Sequence, residues 1–332
     1  MDLADFKKFM QKRKINDDNI TSSIAIVKEF DEFLANYNRS AENALYDDVH
    51  NFSAYLIENN RNIFDNYVGL LRFGQFTKNN QLTIASMENI DGNEVMTNFS
   101  ARLIDEFGEE VRNKIFDDID VPPMGLHPQK KPEITKKVIE RFLAEVDHER
   151  CTKFLANGLR GKYTASYKPS REKFLKVKNI DEFLVIKRQD FIDTLTNHLE
   201  EGTLFFTQEV DKEVLEYVKN QQGMTEAGVR KGNKVLITKI PYMTKQYLKE
   251  TDEKKKRYYY CHCPWVREAL LEEDQPVDPI FCNCSGGYYK NFWEAVLDQP
   301  VQIELLESVL MGDMACKFAL QLPQEIIETL EK

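Results

Sequence analysis

The chain has 332 residues, of which 42% are hydrophobic and 30% charged, and its formal net charge is −10. This length and apolar fraction suffice for two domains with real cores, while the negative charge argues against a protein that wraps nucleic acid through its phosphates. No apolar run approaches the roughly eighteen residues of a membrane helix, and the start Met1-Asp2-Leu3-Ala4-Asp5 is too polar for a signal peptide, so a cytoplasmic protein is expected.

Ile26, Phe30, Phe33, Leu34 and Tyr37 recur at one-face helical spacing, and Leu45, Val49, Phe52 and Leu56 repeat it after Asn38-Arg39-Ser40. Phe64, Tyr67, Leu71, Phe73 and Phe76 supply a third stretch that stops at Lys78-Asn79-Asn80. The pattern predicts an N-terminal helical bundle over residues 1–120, suited to docking or to forming a homodimer. Val121-Pro122-Pro123-Met124-Gly125-Leu126-His127-Pro128 then reads as a linker, because proline removes both helix and ladder donors. Residues 121–332 are expected to form a mixed α+β domain, which makes the fold class α+β.

In that second part Ile134, Val138, Ile139, Phe142, Leu143 and Val146 describe a helix running towards Asp147-His148-Glu149-Arg150-Cys151, and another helix covers 190–199. Residues 234–240 read as a strand, and Lys254-Lys255-Lys256-Arg257-Tyr258-Tyr259-Tyr260 as the lead into another. If 257–263 is extended, alternation puts Tyr259, Cys261 and Cys263 on one face. Pro264 then opens a helix whose N-terminus favours a thiolate at Cys263. Ser285-Gly286-Gly287 forms a flexible start to a helix bearing Tyr289, Phe292, Trp293 and Val296, aromatics that either line a pocket or fill a core. Two strands, 301–309 and 315–320, meet at Gly312-Asp313 in a tight hairpin before a final helix. That register sets Val309 opposite Cys316 and Glu307 opposite Phe318, leaving Glu307 near Cys316 on an apolar face, where a carboxylate must be paired, ligating or acting as a pocket acid.

Cys261-His262-Cys263, Cys282-Asn283-Cys284 and Cys316 gather five of the six cysteines in the C-terminal third, with Cys151 as a distant extra arm. Thiols in pairs suit a soft metal ion, since several thiolates must converge while the chain loops away between them. In a reducing compartment such pairs are metal ligands or redox groups rather than structural disulfides. Zinc held by four of Cys261, Cys263, Cys282, Cys284 and Cys316 is the expectation, with an iron–sulfur cluster as the alternative.

The run from Cys282 through Cys284-Ser285-Gly286-Gly287-Tyr288, followed by Leu306-Glu307-Ser308, Gly312-Asp313 and Cys316-Lys317-Phe318, resembles the vinyl-4-reductase type of domain. Such domains occur in phenol-sensing bacterial regulators, where they bind zinc beside an aromatic-ligand pocket, and in relatives of chlorophyll-synthesis proteins. The resemblance implies zinc ligands at Cys282 and Cys316. Ser308 stands where the sensors have a further cysteine and Leu305 where they have a glutamate ligand, so Cys261 and Cys263 would complete the set. The ending Phe318-Ala319-Leu320-Gln321-Leu322-Pro323 is also similar to uncharacterised bacterial proteins related to L-2-amino-thiazoline-4-carboxylic acid hydrolase. Two functions follow as expectations. One is a zinc-binding protein whose domain takes a small molecule against Tyr289, Phe292 and Trp293. The other is a metal- or cysteine-dependent hydrolase of a small heterocyclic or thiol compound, with Glu307 as general base and Cys263 as activated thiol.

Overall fold

Capped amphipathic helices build the N-terminal part of the computed structural model, which describes residues 2–161, 164–177, 179–224, 227–272 and 277–330. The fold is α+β, with helices followed by a small antiparallel sheet near the C-terminus. The chain divides into two compact units, Met1–Asn93 with Asp120–Lys131, and Glu94–Ile119 with Pro132–Lys332.

The first unit contains α1 (Leu3–Lys12), α2 (Asp17–Ala35), α3 (Tyr46–Glu58), α4 (Phe64–Thr77) and α5 (Asn80–Ile90). Asp2, Asn16 and Asn79 cap three of these helices by accepting the backbone N–H of the residue three positions on. Most of the periodic residues read from the sequence meet in one core, with Ile26, Phe30, Leu34, Val49, Phe52, Leu56, Tyr67 and Phe73 fully buried or nearly so, whereas Tyr37, Leu45 and Phe64 are exposed. Phe30 and Phe52 approach to 5.0 Å between ring centres, and Phe6 meets Phe73 edge-on at 5.2 Å.

The proline-rich stretch belongs to this unit and is folded onto α3 and α4. Gly125 adopts φ +83, and an added Cβ would lie 2.0 Å from Tyr67 Oη and 2.3 Å from Ser53 Oγ. The Ser53 hydroxyl donates to the Gly125 carbonyl at 2.8 Å, so only glycine meets both demands of the position.

The second unit begins with α6 (Glu94–Phe107), α7 (Glu109–Ile115), α8 (Lys131–Glu145, whose first residue belongs to the first unit), α9 (His148–Ala156), α10 (Thr164–Val177) and α11 (Ile180–Glu201). A short ribbon of β1 (Leu204–Phe205) and β2 (Gln208–Glu209) leads to α12 (Lys212–Asn220). Next come β3 (Val229–Lys231), β4 (Lys234–Thr238), α13 (Thr244–Lys249), α14 (Glu253–Tyr260), α15 (Asn283–Leu297), β5 (Gln302–Glu307), β6 (Lys317–Gln321) and α16 (Gln324–Leu330). The sheet has the order β3-β4-β6-β5 and is antiparallel throughout. No helix among the described residues is long and apolar enough to cross a membrane.

Gly286 and Gly287 do not loosen the start of α15; they allow it to pack closely. A Cβ at Gly286 would sit 3.3 Å from Ile303 and 3.4 Å from Phe318 on the sheet, and one at Gly287 would come within 2.3 Å of the Gly158 Cα. Glycine lets this helix touch a sheet on one side and a backbone on the other. The first turn of α15, with its cysteines, is thereby fixed.

Candidate metal centre

Three stretches of chain bring the cysteines together, and their local structures differ from the expected ones. Residues 253–260 are helical rather than extended. Asp252 caps α14 by accepting the Lys255 N–H at 2.8 Å, and the helix carries Glu253 in its first turn and Arg257 in its last. These end signals override the strand preference of Tyr258, Tyr259 and Tyr260. Cys261 leaves the helix end in extended conformation, and the Cys263 carbonyl accepts from the Val266 and Arg267 N–H groups. Pro264 opens this turn, which leads into a four-residue 3-10 helix at Glu268–Leu271, so Cys263 does not stand at an α-helix N-terminus. The segment is anchored by Trp265, whose carbonyl accepts from the buried Thr135 hydroxyl at 3.0 Å.

The helix N-terminus is found at the second pair instead. Cys282 ends the 3-10 helix Pro279–Cys282 and is the N-cap residue of α15, with Cys284 one residue inside. The aligned N–H groups at that end favour negative charge on these thiols.

The third arm also departs from the expected tight hairpin. Between β5 and β6 the chain makes a 3-10 turn, Val309–Met311, so the connection is longer than Gly312-Asp313 alone. Leu305 pairs with Phe318 and Glu307 with Lys317, and an irregularity between Leu305 and Glu307 shifts the register from the expected one. Glu307 is therefore not an unpaired carboxylate on an apolar face. Its Oε2 lies 2.8 Å from Lys317 Nζ, with both side chains more than a third exposed.

All six cysteines are free. Cys261, Cys284 and Cys316 are buried, and Cys263 and Cys282 are partly so. Burial pushes the thiols of Cys261, Cys282, Cys284 and Cys316 upward, that of Cys284 to about 11. The thiols also act on each other. Cys261 feels Cys263 and Cys316, Cys282 feels Cys316, Cys261 and Cys263, and Cys316 feels Cys263. Cys284 feels Cys263.

Opposing burial, four of the sulfurs receive a hydrogen bond. The donors are the Cys263 N–H to Cys261, the Ser308 hydroxyl to Cys282, the Leu159 N–H to Cys284 and the Val309 N–H to Cys316. Such bonds favour the thiolate. Lys239 pulls Cys261, Cys284 and Cys316 in the same direction, and Arg160 pulls Cys284. Ser308, fully buried at the end of a strand, carried a weak signal in the sequence as a hydroxyl among apolar residues. Lys239 and the backbone donors carried none, because they reach the site only through the fold.

His262, between the first two cysteines, is committed elsewhere. Its Nε2 lies 2.6 Å from the Ile240 carbonyl and its ring meets Tyr242 at 5.2 Å, while burial keeps it well below the usual histidine range. Cys151 is buried in a separate place, its sulfur donating to the Val146 carbonyl at 3.4 Å. Tyr289, Phe292 and Trp293 project from α15 into the core. They meet Phe318 at 5.4 Å, Tyr167 at 5.4 Å and Phe183 at 5.9 Å respectively. Among the described residues, no three His, Cys, Asp or Glu side chains already converge in a way that could hold a metal ion.

No curated protein and no solved structure matches the chain. Residues 242–327, a stretch that contains all five clustered cysteines but not Cys151, match a family of unknown function (DUF6144).

Proposed function

We propose that the C-terminal part of the chain is a zinc-binding module whose ligands are Cys261, Cys263, Cys282 and Cys316, with Cys284 beside the centre rather than in it. The observation that carries this reading is that the three stretches bearing those cysteines are tied together at Lys239, whose N–H donates to the Cys316 carbonyl, whose carbonyl accepts the Tyr260 hydroxyl and whose Nζ stands 3.4 Å from the Ser285 hydroxyl. Crowded, buried thiols without a cation stay protonated, because each further negative charge costs more than the last. A soft divalent cation reverses that balance, and the donors aimed at the sulfurs are already placed for the charged form.

The thiols need rotamer changes to converge on one ion. Four thiolates close the coordination of zinc, so the bound ion would supply a cross-link rather than an open catalytic position. The reading keeps the zinc that the resemblance to vinyl-4-reductase-type sensors implies, with Cys261 and Cys263 completing the set. The ring contacts of Tyr289, Phe292 and Trp293 favour a stapled scaffold over a ligand pocket at those positions.

Elemental analysis of purified protein, together with an absorption spectrum, tests the proposal. One zinc per chain and a colourless protein are expected, whereas a brown protein with stoichiometric iron would replace zinc by an iron–sulfur cluster. Cys263→Ser and Cys316→Ser should each release the metal, and Cys284→Ser should keep it. Protein purified without any metal, or five clustered cysteines that all react with a thiol reagent in the protein as purified under native conditions, would overturn the reading.

A further inference from the structure

Four thiolates around a divalent cation leave two negative charges in a largely buried place, and such a charge must be met by a cation nearby. Lys239 follows β4 and holds a singular position with respect to the cysteine stretches. Its N–H donates to the Cys316 carbonyl at 3.0 Å. Its carbonyl accepts the Tyr260 hydroxyl, adjacent to Cys261. Its Nζ lies 3.4 Å from the Ser285 hydroxyl, adjacent to Cys284. One residue is therefore tied to all three stretches, its backbone to two and its ammonium group to the third.

Resting on the zinc reading above, we infer that Lys239 is a positioning residue that supplies the counter-charge of the thiolate centre while its backbone holds the ligand-bearing segments in register. The other cations in the neighbourhood are differently engaged. Arg267 stacks on Tyr242 at 4.7 Å and lies 3.6 Å from Glu268. Arg160 acts on Cys284, the thiol placed outside the ligand set. The influence of Lys239 on Cys261 and Cys316, two of the four proposed ligands, agrees with the geometry.

The test is zinc affinity, measured on the full-length protein by competition with a chelating dye, for the wild type, Lys239→Met and Lys239→Arg. Met keeps the length of the side chain and all backbone bonds but removes the charge. Lys239→Met should bind zinc about ten- to a hundredfold more weakly, the usual effect of losing a group that supports metal ligands, while Lys239→Arg should stay near the wild type. Thermal melts of the metal-free forms separate this from a purely structural role, and metal-free Lys239→Met should melt with metal-free wild type. Equal zinc affinity in Lys239→Met, or a loss in Lys239→Arg as large as in Lys239→Met, would overturn the inference while leaving the zinc centre in place. A wild-type protein that takes up no zinc would remove both.

Discussion

The first unit and the cysteine-bearing end of the second are held together by different physics. In the first, long capped helices bury phenylalanine and leucine against each other, and contacts such as Phe30 on Phe52 need no other agent. At the other end the cysteines sit on turns, 3-10 helices and a helix start, where burial alone leaves thiols protonated and mutually repelling once charged. A hydrophobic core is complete as folded. A thiol cluster gains its full stabilisation only when a cation arrives, and the two regions should therefore respond in opposite ways to the same perturbations.

The largest difference should follow metal removal. With zinc bound as proposed, chelation, or Cys316→Ser, would take away a link between segments far apart in sequence, and structural zinc commonly contributes several kcal/mol or more to folding. Hydrogen exchange should show protection lost around residues 261–316 while α2 to α4 of the first unit keep theirs. Uniform loss in both units, or no loss in either, would break the contrast.

The converse experiment is Phe52→Ala. Phe52 is fully buried, and truncating such a ring in a core usually costs about 3–5 kcal/mol. Denaturant unfolding should show that loss at unchanged zinc content. A variant that also lost zinc would mean that the two regions do not fold as independently as their cores suggest.

Among the polar residues buried in the first unit is a histidine. His50 is 3% exposed, neither of its ring nitrogens has a hydrogen-bond partner, and its ring rests between Tyr46 at 4.6 Å and His127 at 5.0 Å. Burial lowers its pKa from 6.5 to about 4; Glu88 and Asp47 oppose that shift, while His127 and Lys131 reinforce it. The folded state thus prefers neutral imidazole. Stability is full above pH 6.5, falls as the unfolded chain takes up its proton, and has lost this contribution by about pH 4. The drop across that window should be about 3 kcal/mol larger in the wild type than in His50→Phe. Equal pH profiles by chemical denaturation would show that His50 is solvated in solution.

How much of this was legible in the sequence follows from the range of the interactions. The helices of the first unit could be read because apolar periodicity is local, and the cysteine cluster because its spacing is unusual. Three consecutive tyrosines pointed to a strand at 258–260, although the cap at Asp252 lay within view and decides for helix. Which members of the two pairs face the other cysteines could not be read, since both pairs have the same spacing and only the fold distinguishes their neighbours. Gly286 and Gly287 looked like a flexible start to a helix because their contacts, Phe318 and Gly158, are distant in sequence. A single irregularity near Leu306 was enough to move Glu307 from Phe318 to Lys317.

That displaced carboxylate gives the smallest expected effect. As general base of a hydrolase, Glu307 would stand unpaired beside the thiols, and Glu307→Gln would abolish turnover while leaving fold and metal intact. Paired with Lys317 in a half-exposed position, it should instead behave as a surface ion pair, for which solvent screening and side-chain entropy leave about 0–1 kcal/mol. Glu307→Gln should therefore shift the thermal midpoint only marginally, with the shift fading as salt is raised, and zinc affinity should stay at the wild-type value. A large loss of zinc in this variant would place the carboxylate at the metal and reopen the catalytic alternative. An unchanged protein would leave the thiol cluster as the functional chemistry of this end of the chain.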